Sequence, residues 1–199
     1  MVRIFAAGDF HGDKKAAHSS AQRAIDERAD IIILNGDVVD ENNTAGMLHY
    51  FIRTGKPVFL VPGNHDWFAT DFLAAQYHAI NLHGKSVCFG NVAILGCGGA
   101  NIGLNMLTEK EIYAIVKETN TQISSVSKKL LVTHVHPSGT IMESFSQFVK
   151  GSVGLRKAIE ATHPDVVLCG HVHEAEGIED KIGNTLVVNV GKQGKLIEL

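Results

Sequence analysis

Five short apolar runs each end in a residue able to bind a metal, and this recurrence limits the folds open to the chain. Residues 2–7 lead into Gly8-Asp9-Phe10-His11. Residues 31–34 lead into Asn35-Gly36-Asp37, and residues 58–61 into Pro62-Gly63-Asn64-His65. Residues 129–133 lead into His134, and residues 166–169 into Gly170-His171-Val172-His173. Continuous runs of this length, rich in β-branched residues, read as strands buried on both faces. Ligands in open α/β sheets gather at the carboxyl ends of strands. Residues scattered from Asp9 to His173 are therefore expected to converge on one rim.

Helical patterns lie between these runs. Residues 14–28 are alanine-rich, with charges opposite an apolar or small face. Residues 44–54, 108–118 and 152–161 follow the same spacing, and Thr108 with Glu111 forms a capping box. Strand, helix, strand is the order of an α/β domain. Two hairpins are also expected. Residues 86–89 and 92–95 flank Gly90-Asn91, and residues 185–190 and 195–199 flank a turn over 191–194. The sheet is then mixed, and no linker marks a domain boundary within residues 1–199.

The 199 residues are 45% hydrophobic and 20% charged, enough apolar content for a real core. A net charge of -3 gives no overall basicity that would favour nucleic acid or a membrane surface. No apolar run reaches the ~18 residues of a spanning helix. The first residues turn polar too early for a signal peptide. A soluble cytoplasmic protein is expected, with Cys88, Cys97 and Cys169 as buried, unpaired thiols.

Eleven histidines accompany 21 acidic residues. Imidazole nitrogens, carboxylates and one amide oxygen form mixed sites that suit manganese, iron or zinc. A carboxylate such as Asp37 can bridge two ions about 3.5–4 Å apart. Taken singly, Asp9 or Asn64 reads as a turn residue. Together with an H-x-H pair after a fifth strand, they point to metal chemistry.

These residues fall into a known series. Gly8-Asp9-Phe10-His11-Gly12 resembles the D-x-H motif of the calcineurin-like metallophosphoesterase superfamily. Gly36-Asp37-Val38-Val39-Asp40 resembles its G-D-x-x-D, and Gly63-Asn64-His65-Asp66 its G-N-H-[DE]. Thr133-His134 resembles the lone-histidine motif, and Gly170-His171-Val172-His173 the final G-H-x-H. The resemblance implies a four-layer α/β/β/α sandwich with two mixed sheets. It implies two divalent ions, manganese foremost, with iron, zinc or nickel as alternatives. Asp9, His11, Asp37 and His173 would hold one ion. Asp37, Asn64, His134 and His171 would hold the other. His65 would act at the phosphate or the leaving oxygen, with Asp66 orienting it and Asp40 as a further supporting carboxylate. The implied activity is hydrolysis of phosphomonoesters or phosphodiesters of small substrates by metal-bound hydroxide.

Two departures narrow the subfamily. Protein serine/threonine phosphatases of this superfamily carry an arginine after the second aspartate of G-D-x-x-D, whereas Glu41-Asn42-Asn43 follows Asp40 here. Thr133-His134-Val135-His136-Pro137 offers two histidines; His134 aligns as the ligand and His136 lies nearer the substrate. Residues 170–174 and 188–191 resemble the small prokaryotic and archaeal phosphoesterases. A nuclease and a non-catalytic protein-binding scaffold are the alternatives. The first lacks a visible basic strip, and the second would have lost ligand residues that this chain retains. The oligomeric state is not readable. His18, His49, His78, His83 and His163 are expected at or near the surface. Residues 96–103 are glycine-rich but fail the dinucleotide fingerprint, because Asn101 takes the third glycine position. They read as a tight loop, or as a rim loop whose backbone approaches substrate.

Overall fold

The computed structural model describes residues 1–40, 46–123 and 126–199. The first sheet contains β1 (Arg3–Ala7), β2 (Ile31–Leu34), β3 (Val58–Leu60), β4 (Ile80–Asn81) and β11 (Lys195–Glu198). Their order is β11-β1-β2-β3-β4. The second contains β5 (Ser86–Phe89), β6 (Val92–Cys97), β7 (Lys128–Thr133), β8 (Val166–Cys169), β9 (Glu179–Ile182) and β10 (Thr185–Asn189). Their order is β5-β6-β7-β8-β10-β9. β1, β2, β3 and β4 run parallel, as do β6, β7, β8 and β10. The edge strands β11, β5 and β9 are antiparallel.

The period of two along each strand explains the layers. Ile4, Ala6, Ile31 and Ile33 point one way and pack with Ile94, Leu130, Val132 and Leu168 of the other sheet. The alternate residues Phe5, Ala7, Ile32 and Leu34 point the other way. They meet Ala17, Ala21 and Ala24 of α1 (Lys14–Asp26) and Phe51 of α2 (Met47–Ile52). Leu73 and Ala74 of α3 (Trp67–Tyr77) complete that layer. On the far side Leu95, Leu131 and Val167 meet Ile112 and Val116 of α4 (Glu109–Thr121) and Leu155 and Ile159 of α5 (Val153–Thr162). The expected α/β/β/α sandwich is therefore the fold. Two-sided burial is why these strands read as unbroken apolar runs.

Local signals set most helix starts. Asp13 accepts hydrogen bonds from the Lys15 and Ala16 N–H groups and caps α1. The capping box of Thr108 and Glu111 opens α4, and Ser152 Oγ accepts from Leu155 N to open α5. The helix expected over 44–54 is the six-residue α2; Glu41-Asn42-Asn43 and the expected start at Thr44 lie outside the described residues. The Gly90-Asn91 hairpin forms as expected, joining β5 to β6.

The second expected hairpin does not form. β10 stays in the second sheet, while β11 crosses to the first and pairs antiparallel with β1, Ile4 opposite Ile197. The hairpin partner of β10 is β9, across Gly183-Asn184. β9 escaped notice because Glu-Asp-Lys-Ile carries no apolar alternation. The crossing is tied down at both sheets. Arg23 Nη1 donates to the Gln193 carbonyl, Gly8 N donates to Gly191 O at 2.9 Å, and Lys195 pairs with Glu179 of β9.

Candidate metal centre

The turns after β1, β2, β3, β7 and β8 meet on one rim. The backbone there is strained. Asp9, His11, Asp37 and His171 all adopt left-handed conformations, with φ of 55°, 46°, 48° and 68°. They are half of the eight non-glycine residues in that region among the described residues. Each such placement costs about 1–2 kcal/mol, and strain of this kind concentrates where side chains must be aimed. A Cβ at Gly63 would collide with the Asp37 carboxylate, so only glycine lets the third turn lie against the second.

Three groups of ligand atoms lie within 4.8 Å of one another: Asp9, His11 and His173; Asp37, His134 and His171; and His11, Asp37 and His65. His11 Nε2 lies 3.1 Å from His173 Nε2 and 3.5 Å from Asp37 Oδ2. His134 Nε2 lies 3.3 Å from Asp37 Oδ2, 3.2 Å from Asn64 Oδ1 and 3.2 Å from His171 Nδ1. Asp37 thus stands between the two sets, where a shared carboxylate would need to be.

Backbone donors and a carbonyl fix these side chains. His171 N donates to both oxygens of Asp9 at 3.2 and 3.1 Å, and His65 N donates to Asp37 Oδ1 at 3.0 Å. His134 Nδ1 lies 3.0 Å from the Asn35 carbonyl. A carbonyl only accepts, so Nδ1 carries the proton and Nε2 is left to face Asp37, Asn64 and His171. This is the usual way a metal-binding imidazole is held in one tautomer. Asn35 is a supporting residue that sequence reasoning missed, because its contribution comes from its backbone.

The electrostatics show what the cluster lacks. Burial alone would raise the Asp37 carboxyl, but His134, the His65 N–H and His11 hold it below the usual carboxylate range. Burial raises Asp9, which is farther from His134 (3.8 Å) than Asp37 is. Burial opposes protonation of His134, yet Asp37 and Asp9 outweigh it and lift the imidazole to about 9. Burial and His134 push His171 down to about 3, and burial lowers His11. Two pairs of imidazole nitrogens face each other at 3.1 and 3.2 Å, and His171 Nε2 is buried with no hydrogen-bond partner among the described residues. Facing lone pairs repel unless a proton or cation lies between them. Nitrogen and carboxylate donors converging in this way fit divalent ions.

Three sequence expectations change. Asp66 does not approach the His65 ring through any described hydrogen bond. Its oxygens accept from Gly63 N at 2.6 Å and Val38 N at 2.7 Å, tying the second turn to the third. Burial, with Asp37 nearby, raises its carboxyl to about 6. The carboxylate beside His65 is Asp40, with 3.9 Å between Asp40 Oδ1 and His65 Nδ1. His136, expected nearer the substrate, is fully buried, with neither ring nitrogen partnered among the described residues. The Ser152 N–H donates to its carbonyl at 2.9 Å and folds the following loop over it, and burial lowers the imidazole to about 4. Cys88 is exposed; only Cys97 and Cys169 are buried. His18, His49, His78 and His163 are exposed, and His83 is half-buried.

The glycine-rich stretch after β6 is a rim loop. Gly99 N donates to Pro62 O at 2.7 Å, and Asn105 Nδ2 donates to Asn64 O at 2.8 Å. The loop is hydrogen-bonded to the turn that presents Asn64. Among the described residues, no helix is long and apolar enough to cross a membrane.

Comparison with solved structures finds the same architecture. TT1561 of Thermus thermophilus is 19% identical, covering 96% of this chain and 90% of that one, with a TM-score of 0.77. A dimetal phosphatase from Danio rerio is 10% identical over 96% of this chain and 88% of that one, TM-score 0.64. An archaeal phosphodiesterase is 17% identical with both chains fully covered, TM-score 0.57. At these identities the likeness concerns the fold. A comparison with curated proteins finds no match. Residues 2–175 match the family described as calcineurin-like phosphoesterase, a span that contains all five strand-end motifs. The chain therefore belongs to the calcineurin-like phosphoesterases, metal-dependent phosphoric ester hydrolases.

Proposed function

We propose that residues 1–199 form one catalytic unit that hydrolyses phosphodiesters or phosphomonoesters of small substrates at a pair of divalent cations, manganese foremost. The observation that carries this reading is the pair of facing imidazole couples on either side of Asp37. Asp9, His11, Asp37 and His173 are assigned to one cation. Asp37, Asn64, His134 and His171 are assigned to the other. When bound, such ions supply positive charge that acidifies water and attracts a phosphoryl group.

The chain's own residues complete the reaction. Water adds its oxygen to phosphorus, the ester P–O bond breaks, and the departing oxygen must gain a proton. His65 is the group assigned to that proton. Its side chain is 36% exposed, so it can meet a substrate that the buried His134 cannot. Asp40, 3.9 Å away, is placed to steady the orientation of the ring. Asp66 acts on the backbone, keeping Gly63 against Val38 so that Asn64 and Asp37 stay in register.

The test couples elemental analysis to turnover. Protein purified without chelator is expected to hold about two equivalents of divalent metal. With added manganese it should hydrolyse bis(p-nitrophenyl) phosphate or p-nitrophenyl phosphate. Absence of both metal and turnover would overturn the assignment.

A further inference from the structure

We infer that the loops after β6 and β7 form an apolar platform beside the proposed cations, and that it receives an aromatic group esterified to the substrate phosphate. This inference rests on the phosphoesterase reading above and goes on to name what the phosphate carries.

The first loop is closed on itself by Leu107 N donating to Ala100 O at 2.8 Å. It is anchored at the site by the Asn105 bond to the Asn64 carbonyl, and a Cβ at Gly103 would come within 3.2 Å of Asn64 Nδ2. The second loop leaves β7 just beyond His134. It is pinned by Gly151 N donating to Glu143 Oε1 at 2.9 Å and Ile141 N donating to Asp180 Oδ2 at 2.7 Å. The two loops touch, since Asn101 Nδ2 donates to the Lys150 carbonyl at 3.3 Å. They leave adjacent strands at the edge that carries Asn64 and His134.

Six of the side chains that these loops expose are large and apolar. Ile102, Leu104 and Met106 project from the first and Ile141, Phe145 and Phe148 from the second, with Phe148 85% exposed. They make up half of the twelve large exposed hydrophobics among the described residues, although the two loops are a small part of the chain. Residues 100–107 contain no charged residue, nor do residues 144–149. Single exposed hydrophobics need no explanation, but a concentration beside a catalytic rim marks a binding surface. Its position decides the occupant. A phosphoryl group held at the cluster would lie beside the Asn64 turn, to which the first loop is bonded. A second phosphate, or a sugar with many hydroxyls, would gain nothing from these six side chains. A flat ring would find aliphatic side chains and an open phenylalanine face.

Two non-hydrolysable monoester analogues, phenylphosphonate and methylphosphonate, titrated calorimetrically into the manganese-loaded protein, test this. Phenylphosphonate is expected to bind at least about tenfold more tightly, since one ring on an apolar surface is worth on the order of 1.4 kcal/mol or more. Leu104→Ser and Phe148→Ser should each shrink that ratio toward one, while Ile25→Ser, an exposed hydrophobic on α1, should leave it unchanged. Equal affinities in the unaltered protein would overturn the platform and leave the phosphoesterase reading intact. If neither phosphonate binds, the phosphoesterase reading itself fails and takes the platform with it. A ratio that survives in both serine variants, with light scattering showing a dimer that they convert to monomer, would assign the surface to a second copy and overturn the proposal.

Discussion

The two sheets contribute unlike chemistry to the rim. Turns after the first sheet's strands bring both carboxylates of the cluster, Asp9 and Asp37, together with His11, Asn64 and His65. Turns after the second sheet's strands bring three imidazoles, His134, His171 and His173, and no carboxylate to the cluster. Neither set is comfortable alone. Two buried carboxylates repel and resist desolvation, while imidazoles stripped of water resist protonation. Stacked together they satisfy each other in part, through contacts such as His134 to Asp37 at 3.3 Å. A cation pair would complete what the contacts leave unfinished. The division of labour makes the centre a product of sheet packing, so its loss should follow from faults in either half.

Asp37→Asn attacks that division most directly, because Asp37 Oδ2 lies 3.5 Å from His11 Nε2 and 3.3 Å from His134 Nε2. Turnover of an aryl phosphodiester is expected to fall by three orders of magnitude or more, roughly 4 kcal/mol of barrier, with loss of metal seen by elemental analysis. His65→Ala should lower turnover by about 10²–10⁴-fold while metal content stays at the level of the unaltered protein. Full turnover in that variant would remove His65 from the chemistry.

The third test reads the contact between the halves without turnover. In chelator-treated protein His134 has a pKa of about 9, against 6.5 for a free imidazole. The folded state therefore binds this proton more tightly than the unfolded state does. The stability it contributes is present below pH 6.5 and is lost as pH rises through 9. The loss is at most about 3 kcal/mol. Denaturant midpoints of metal-free protein should fall across this window. His134→Asn should flatten the slope, and so should saturating manganese, which takes the place of the proton. A metal-free midpoint that rises from pH 6.5 to 9 would contradict the cross-sheet pairing. The smallest effect belongs to Asp40→Asn: a few-fold drop in kcat with unchanged KM and metal content, about 1 kcal/mol. Asp66→Asn should differ from it by also lowering the unfolding midpoint, because its oxygens hold two backbone N–H groups.

Much of this could be read beforehand because the strands that end at the rim are buried on both faces. Residues 31–34 and 166–169 must be apolar throughout, and an abrupt change to Asn-Gly-Asp or Gly-His-Val-His marks where a strand leaves the core. What stayed hidden had no side-chain pattern to betray it. α3 begins directly after the Asn64-His65-Asp66 turn, and Asp66 makes no side-chain cap bond because its carboxylate is engaged by Gly63 and Val38. The same engagement turns the carboxylate that follows His65 in sequence toward backbone N–H groups. The Asn35 carbonyl carries no identity at all. β11 looked like a hairpin partner for β10 because the intervening turn is short, but pairing with β1 lets Ile197 join the core between the sheets.

That return of β11 to β1 sets an order of events. Ile4 is made long before its antiparallel partner, Ile197. Until β11 emerges from the ribosome, one side of β1 presents open N–H and C=O groups, and the Asp9 turn stands at the end of an unfinished edge. Closing so distant a pairing is slow relative to local hairpins. An earlier segment could fold, but the rim that aims Asp9 would settle only after β11 had been made. Nascent chains stalled before residue 195 should therefore be easily cleaved by protease near β1, and lose that sensitivity once β11 is released.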